Sequence, residues 1–224
     1  MALAKLEKTR INNRLPVARE GLIFIIISLS LTLFFGYSGL VIPLIIFGII
    51  TLFIIYFFRD PERSAHVPEK AVITPADGRI IDISYIKNNN NPLGEFAIKI
   101  SVFMSIFNVH VNRVPINGRI FKISYHPGNF FSANLDKASE QNERNDVTLQ
   151  TDDGRKIMAI QVAGLIARRI ACWVREGDVV QAGQRFGLIR FGSRLDVYLP
   201  YDSRILVQRR NKVKAGITIL GYLS

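Results

Sequence analysis

The pair Gly192-Ser193 carries what a backbone needs to cut itself. The serine hydroxyl lies within reach of the preceding carbonyl, and a glycine there removes the Cβ that would hinder attack and tolerates strained φ/ψ. Taken alone such a pair reads as a turn. Chemistry of this kind needs a base, and His110 is one of only three histidines in the chain. Phe107, Val109 and Val111 around it suggest the end of a β segment, with Asn108 and Asn112 close by. An imidazole moves protons at neutral pH, although a core histidine with a satisfied hydrogen bond is an equally open reading of the residue itself. Asp77, in Pro75-Ala76-Asp77-Gly78, reads by itself as a turn between two strands. His126 precedes the turn pair Pro127-Gly128, and His66 lies in a linker as a surface residue. The segment Asn134–Asn145 is too polar for a core and its mixed charges read as a solvated loop, with Lys137 and Arg144 able to meet a phosphate. Cys172 is the only cysteine, which excludes an internal disulfide, a structural zinc cluster and a paired-cysteine redox site. It reads as a small core residue.

The elements that must position these residues are strands. Ala71–Thr74, Arg79–Ile83, Phe96–Val102, Gly118–Ser124, Val147–Gln150, Lys156–Val162 and Phe186–Phe191 alternate or are rich in β-formers. Leu195–Leu199 supplies one more after the Gly-Ser pair. Asn88–Pro92 and Thr151–Gly154 read as hairpin turns. In Glu176–Gln184 two Gly-containing turns bracket a two-residue strand, a pattern that resembles the hammerhead turns of lipoyl and biotinyl barrel-sandwich domains. No lysine lies between Lys156 and Lys212, so the scaffold is expected without lipoylation. The fold class expected is mainly β: an antiparallel β domain with barrel-sandwich-like hairpins over residues 59–224, with one short helix near Ala163–Arg169.

Ahead of it, residues 1–20 are polar and basic, and Gly21–Phe58 runs for 38 residues without a charge. A hydrocarbon core takes about 20 helical residues to cross. The run therefore reads as a two-helix membrane hairpin, broken at Gly36-Tyr37-Ser38-Gly39 into roughly Gly21–Phe35 and Leu40–Phe58. The first half is short for a span, so a tilted or shallow hairpin is compatible with it. The run is too long for a signal peptide, and no small-residue cleavage pattern follows it. Basic residues flank the hairpin on both outer sides, Arg59 and Arg63 following it, and the turn has none, which places both flanks in the cytoplasm. The net charge is +11, and residues 59–224 keep +8 of it (24 basic against 16 acidic). Such a balance favours an anionic membrane surface. Nucleic acid is a poor fit, because Phe and Tyr occupy core-like strand positions rather than interleaving with Arg.

Four blocks in this order, Pro75–Arg79, Asn108–Pro115, Asn134–Asn145 and Phe191–Arg194, resemble the short, membrane-anchored branch of the phosphatidylserine decarboxylase proenzymes. The resemblance runs from about Phe58 to Pro200. It implies that Ser193 attacks the Gly192 carbonyl and that the chain separates into residues 1–192 and 193–224. The small chain would be capped by a pyruvoyl group made from Ser193, without metal or pyridoxal phosphate. It implies catalytic roles for Ser193, for His110 as the base and for Asp77 as the charge beside it, completing a Ser-His-Asp set. One departure is Arg113, where the longer branch of the family has a second histidine, so the division of self-cleavage and decarboxylation between two histidines does not carry over, and whether His110 serves both stays open. His126, Lys137 and Arg144 become candidates for contact with the substrate.

The partners implied are a phospholipid membrane, phosphatidylserine or a related serine phospholipid, and the two cleaved chains for each other. The oligomeric state stays open, a homo-oligomer included. The pyruvoyl carbonyl condenses with the substrate amine and serves as an electron sink. A reading from another class is a membrane-anchored barrel-sandwich adaptor without catalysis, which would remain uncut.

Overall fold

The computed structural model describes residues 15–63, 67–87, 91, 93–94, 96–129, 142–164, 170–190 and 193–224. They divide into two compact units, residues 15–62 and 63–224.

The first unit is a helical hairpin: α1 (Arg19–Tyr37) and α2 (Val41–Phe57). α1 begins two residues before the uncharged run and continues through Gly36-Tyr37, so the turn is confined to Ser38–Leu40, with Gly39 at φ 70°. The N-terminal helix is thus the longer of the two, the reverse of the expectation, because Gly36 and Tyr37 still complete the last helical turn. At 19 residues α1 is long and apolar enough to cross a membrane, while α2 has 17. Pro43 lies in the first turn of α2, where its missing N–H costs nothing. The base is closed by backbone bonds from Ala18 N–H to the Phe58 carbonyl at 2.8 Å and from Asp60 N–H to the Pro16 carbonyl at 2.7 Å. Gly21 permits this closure, since a Cβ there would lie 2.4 Å from the Phe58 ring. Ile23, Leu33, Ile42, Ile49 and Leu52 are all exposed. Apolar side chains left uncovered on both helices are what a lipid environment accepts and water does not.

The second unit is antiparallel β structure built on one large sheet. Its strands are β2 (Gly78–Ile86), β3 (Ala97–Met104), β5 (Gly118–His126), β6 (Arg144–Gln150), β7 (Lys156–Ala163), β9 (Val179–Val180), β11 (Ser193–Pro200) and β13 (Lys212–Val213), in the order β13-β2-β3-β11-β7-β6-β5-β9. Two three-stranded sheets complete it. One has the order β1-β14-β12, from β1 (Ala71–Ile73), β12 (Arg204–Ile205) and β14 (Ile219–Tyr222); the other has β4-β10-β8, from β4 (Val111–Arg113), β8 (Ile170–Cys172) and β10 (Arg185–Ile189).

One face of the large sheet carries Ile80, Ile100, Val102, Met104, Val147, Leu149, Ile157, Ala159, Leu195, Val197 and Leu199 into the core. The hammerhead pattern is present: the turns at Gly177 (φ 89°) and Gly183 (φ 83°) flank β9. The Thr151–Gly154 turn is present too, with Gly154 at φ 85°. Ala163 closes β7 rather than opening a helix; residues 165–169 and most of Asn88–Pro92 lie outside the described residues. Asn142–Asn145, too polar to be expected in a core, is largely buried, and β6 starts within it.

Candidate active site

β11 lies in the middle of the large sheet, between β3 and β7. Its first residue is Ser193, paired with Met104 of β3 and Ala163 of β7. Pairing on both sides leaves Ser193 fully buried. Strand alternation turns its side chain to the core face shared by Met104, Ala163 and Leu195. There the hydroxyl donates to the Met104 Sδ at 3.9 Å. Gly192, the other half of the Gly-Ser pair, lies outside the described residues. The sequence Arg190–Gly192 links β10 in the small sheet to β11 in the large one, so the bond in question joins two sheets.

His110 precedes β4 and is fully buried. Its carbonyl accepts the Ile189 N–H at 3.4 Å, which sets it beside the end of β10, four residues before Ser193. Asn112, two residues further, donates from Nδ2 to the same Met104 sulfur at 3.7 Å. Its Oδ1 accepts from Gln161 Nε2 at 2.9 Å, and Gln161 Oε1 accepts from Asn145 Nδ2 at 2.9 Å. All three amide side chains are buried. This ladder was not among the residues the sequence singles out. Its one local signal is Gln161, a polar residue inside the apolar run Ile157–Val162.

Asp77 lies in the turn between β1 and β2. That turn docks against β4, because the Pro75 carbonyl accepts the Arg113 N–H at 2.8 Å. The pairing of Asp77 with the His110 imidazole, expected from the resemblance, is not among the bonds of this carboxylate. Arg63 donates from Nη2 to Oδ2 at 2.9 Å and from Nη1 to Oδ1, and the Ala215 N–H donates to Oδ1 at 2.8 Å. Arg113, standing where the longer branch has histidine, is buried and donates to the Gly183 carbonyl at 2.8 Å.

His126 and Arg144 face the other way. They pair with each other across β5 and β6, and Arg144 pairs with Val162, which pairs with Arg194. This row lies on the face of the sheet opposite Ser193. Both residues line a groove of about 920 Å³ on that face and bind Asp146 there, His126 Nε2 at 3.2 Å and Arg144 Nε at 3.5 Å. Burial pushes the Asp146 carboxyl up, against the pull of Arg144 and His126. A ligand on the Ser193 hydroxyl would be separated from them by the sheet itself, so their charge serves Asp146. Lys137 and His66 lie outside the described residues.

A protein-family description, phosphatidylserine decarboxylase, matches residues 50–221. The phosphatidylserine decarboxylase proenzyme of Syntrophus aciditrophicus is 53% identical over 208 residues, covering 92% of this chain and 96% of that one. The proenzyme of Desulfotalea psychrophila is 50% identical over 210 residues (94% and 98%), and that of Burkholderia vietnamiensis 47% over 211 (92% and 96%). On this coverage and identity, the chain belongs to the phosphatidylserine decarboxylase family.

Proposed function

We propose that the chain is a proenzyme that cuts itself between Gly192 and Ser193 and then decarboxylates phosphatidylserine to phosphatidylethanolamine and CO2. Family membership supports the decarboxylase activity. The observation that carries the self-cleavage is the position of Ser193: fully buried at the head of the central strand, with its hydroxyl on a neutral thioether rather than on a charge.

In self-cleavage Ser193 Oγ adds to the Gly192 carbonyl carbon while His110 takes the hydroxyl proton. The peptide C–N bond breaks, the proton moves to the freed amine, and an ester joins Gly192 to Ser193. Removal of the Ser193 α-proton then expels the Gly192 carboxylate from Cβ. The dehydroalanine left behind takes up water and loses ammonia. Asp77, its carboxylate held by Arg63 and the Ala215 N–H, is assigned as the charge that steadies an imidazolium at His110.

The surroundings of Ser193 suit a pyruvoyl group. β11 is paired on both sides, Met104 and Ala163 bound the position, and the Asn112 amide is a nearby donor. When formed, that group supplies an electrophilic ketone that condenses with the substrate amine and takes up the electron pair left by CO2. The chain's own part is to bury the position away from water and to keep both fragments together. Residues 193–224 contribute the central β11 together with β12, β13 and β14, all paired to strands from the other side of the cut or to each other.

The helical hairpin is assigned as the membrane anchor, with the β unit on the cytoplasmic side. The basic flanks support this orientation.

The test is intact mass and a denaturing gel. Wild-type protein is expected as a large chain ending at Gly192 and a blocked 32-residue chain, 193–224. Ser193→Ala is expected as one uncut, inactive chain. Wild-type protein that is uncut yet active would overturn the proposal.

A further inference from the structure

The three amides behind Ser193 are oriented by their last partner. A thioether sulfur only accepts, so Asn112 must present its N–H to Met104 and its carbonyl to Gln161. Gln161 in turn must present its carbonyl to Asn145. Every donor therefore points the same way, from Asn145 toward Met104, and amides so aligned polarise one another. Burying three amides costs free energy that apolar side chains would avoid. The neighbouring strand is cut back to admit them: a Cβ on Gly187 would lie 2.8 Å from Gln161 Nε2 and 2.4 Å from the Ala171 carbonyl. The ladder ends on a sulfur that receives one further donor, the Ser193 hydroxyl.

We propose that Met104 is a positioning residue for self-cleavage. Its thioether, locked by the Asn112-Gln161-Asn145 ladder, holds the Ser193 hydroxyl hydrogen and fixes the rotamer from which Oγ attacks Gly192. This rests on self-cleavage at Ser193, as argued above. A thioether is a weak acceptor with almost no basicity, so it aims the hydroxyl without keeping the proton. As the Oγ–C bond forms and the C–N bond breaks, the proton leaves the sulfur's direction for the base. A stronger acceptor in the same place would hold the hydroxyl in its resting bond.

The test follows the fraction of full-length chain that is cut over time, by gel and intact mass. Met104→Leu keeps the volume and removes the acceptor; cleavage is expected to slow by about tenfold or more, the scale of a misdirected nucleophile. Norleucine in place of all methionines, which exchanges only S for CH2, is expected to reproduce the delay, while selenomethionine keeps the wild-type rate. Norleucine is expected to slow Met104→Leu no further, which assigns the effect to this position. Asn112→Asp, which sets an acceptor against the sulfur, is expected to slow cleavage likewise. Thermal melting of uncut Ser193→Ala chains with and without Met104→Leu is expected to agree, separating positioning from unfolding. Cleavage of Met104→Leu and norleucine protein at the wild-type rate would overturn the proposal. Active wild-type protein that is never cut would instead overturn the reading beneath it.

Discussion

Arg63 grips both oxygens of the Asp77 carboxylate, and its Nη1 also donates to the Ala215 carbonyl at 2.8 Å. The Ala215 N–H donates back to Asp77 Oδ1. Arg63 and Asp77 precede the Gly192-Ser193 pair and Ala215 follows it, so one buried ion pair ties together the two chains that self-cleavage would produce. Only Arg presents a planar fork that fits a carboxylate bidentately while reaching a third acceptor. Arg63→Ala leaves Asp77 buried beside a single N–H. In an uncut Ser193→Ala background this is expected to lower unfolding free energy by about 3 kcal/mol, with Arg63→Lys in between. Urea midpoints measure it, and an unchanged midpoint in Arg63→Ala would show that the pair does not hold the two ends.

Gly78, next to Asp77, has φ 153°, and a Cβ there would lie 2.0 Å from the Phe103 carbonyl oxygen. Neither the dihedral nor the space admits a side chain, and the obstacle is backbone. Gly78→Ala is expected to cost about 3 kcal/mol or more and to displace Asp77 with it. Gly177→Ala is the matched control: its φ is 89° but nothing lies within 4 Å of the added atom, so only the left-handed penalty of about 1–2 kcal/mol remains. Thermal unfolding should rank the two in that order, and equal losses would discount the steric argument.

The strands and the hairpin were legible because each rests on a local pattern: alternation along β2 and β5, turn residues at Gly154, Gly177 and Gly183, and an uncharged run too long for one crossing. What surrounds Ser193 was not. Met104 reaches it through a pairing 89 positions apart, and register of that kind is set by tertiary packing. Gln161 was hidden because the run Ile157–Val162 is apolar on both faces, one toward the core and one toward the groove, so period-2 reading cannot say which way a residue points. The same gap hid which face His126 and Arg144 take: their chemistry suits a phosphate, and β5 and β6 set them on the face opposite Ser193. Arg63 was read only as a flank of the membrane run. Its partner Asp77 lies 14 residues away, beyond any spacing that a strand or turn would bring together.

Asp146 gives the groove a signed pH response. Burial raises its carboxyl above the ordinary value, Asp196 pushes the same way, and Arg144 and His126 offset only part of the shift. The folded chain therefore binds a proton that the unfolded chain has already released. This contribution to stability is present below about pH 3.9, the unfolded carboxyl, and is lost as pH rises through the higher folded pKa. Asp146→Asn removes the titration, so the variant should gain on wild type as pH is raised from about 4 to 7. Melting temperatures across that range check it; a variant that loses ground as pH rises would reverse the sign.

Within the helical hairpin the hydroxyls of Thr32 and Thr51 meet at 3.2 Å, a side-chain hydrogen bond between α1 and α2. Each is also committed to its own helix, Thr32 donating to the Ser28 carbonyl at 2.8 Å and Thr51 to the Phe47 carbonyl at 2.8 Å. A hydroxyl has one hydrogen, so the contact between helices shares donors already in use. The coupling should then fall at the low end for interhelical bonds in lipid, about 0.5 kcal/mol. A double-mutant cycle of Thr32→Val and Thr51→Val, read by denaturation in bicelles, measures it. The hairpin owes its closure instead to Gly21 against Phe58 and to the backbone bonds at its base. On that account both single variants keep the hairpin, whereas Gly21→Leu opens it; a Thr–Thr coupling above about 1.5 kcal/mol would transfer the main role to the hydroxyl pair.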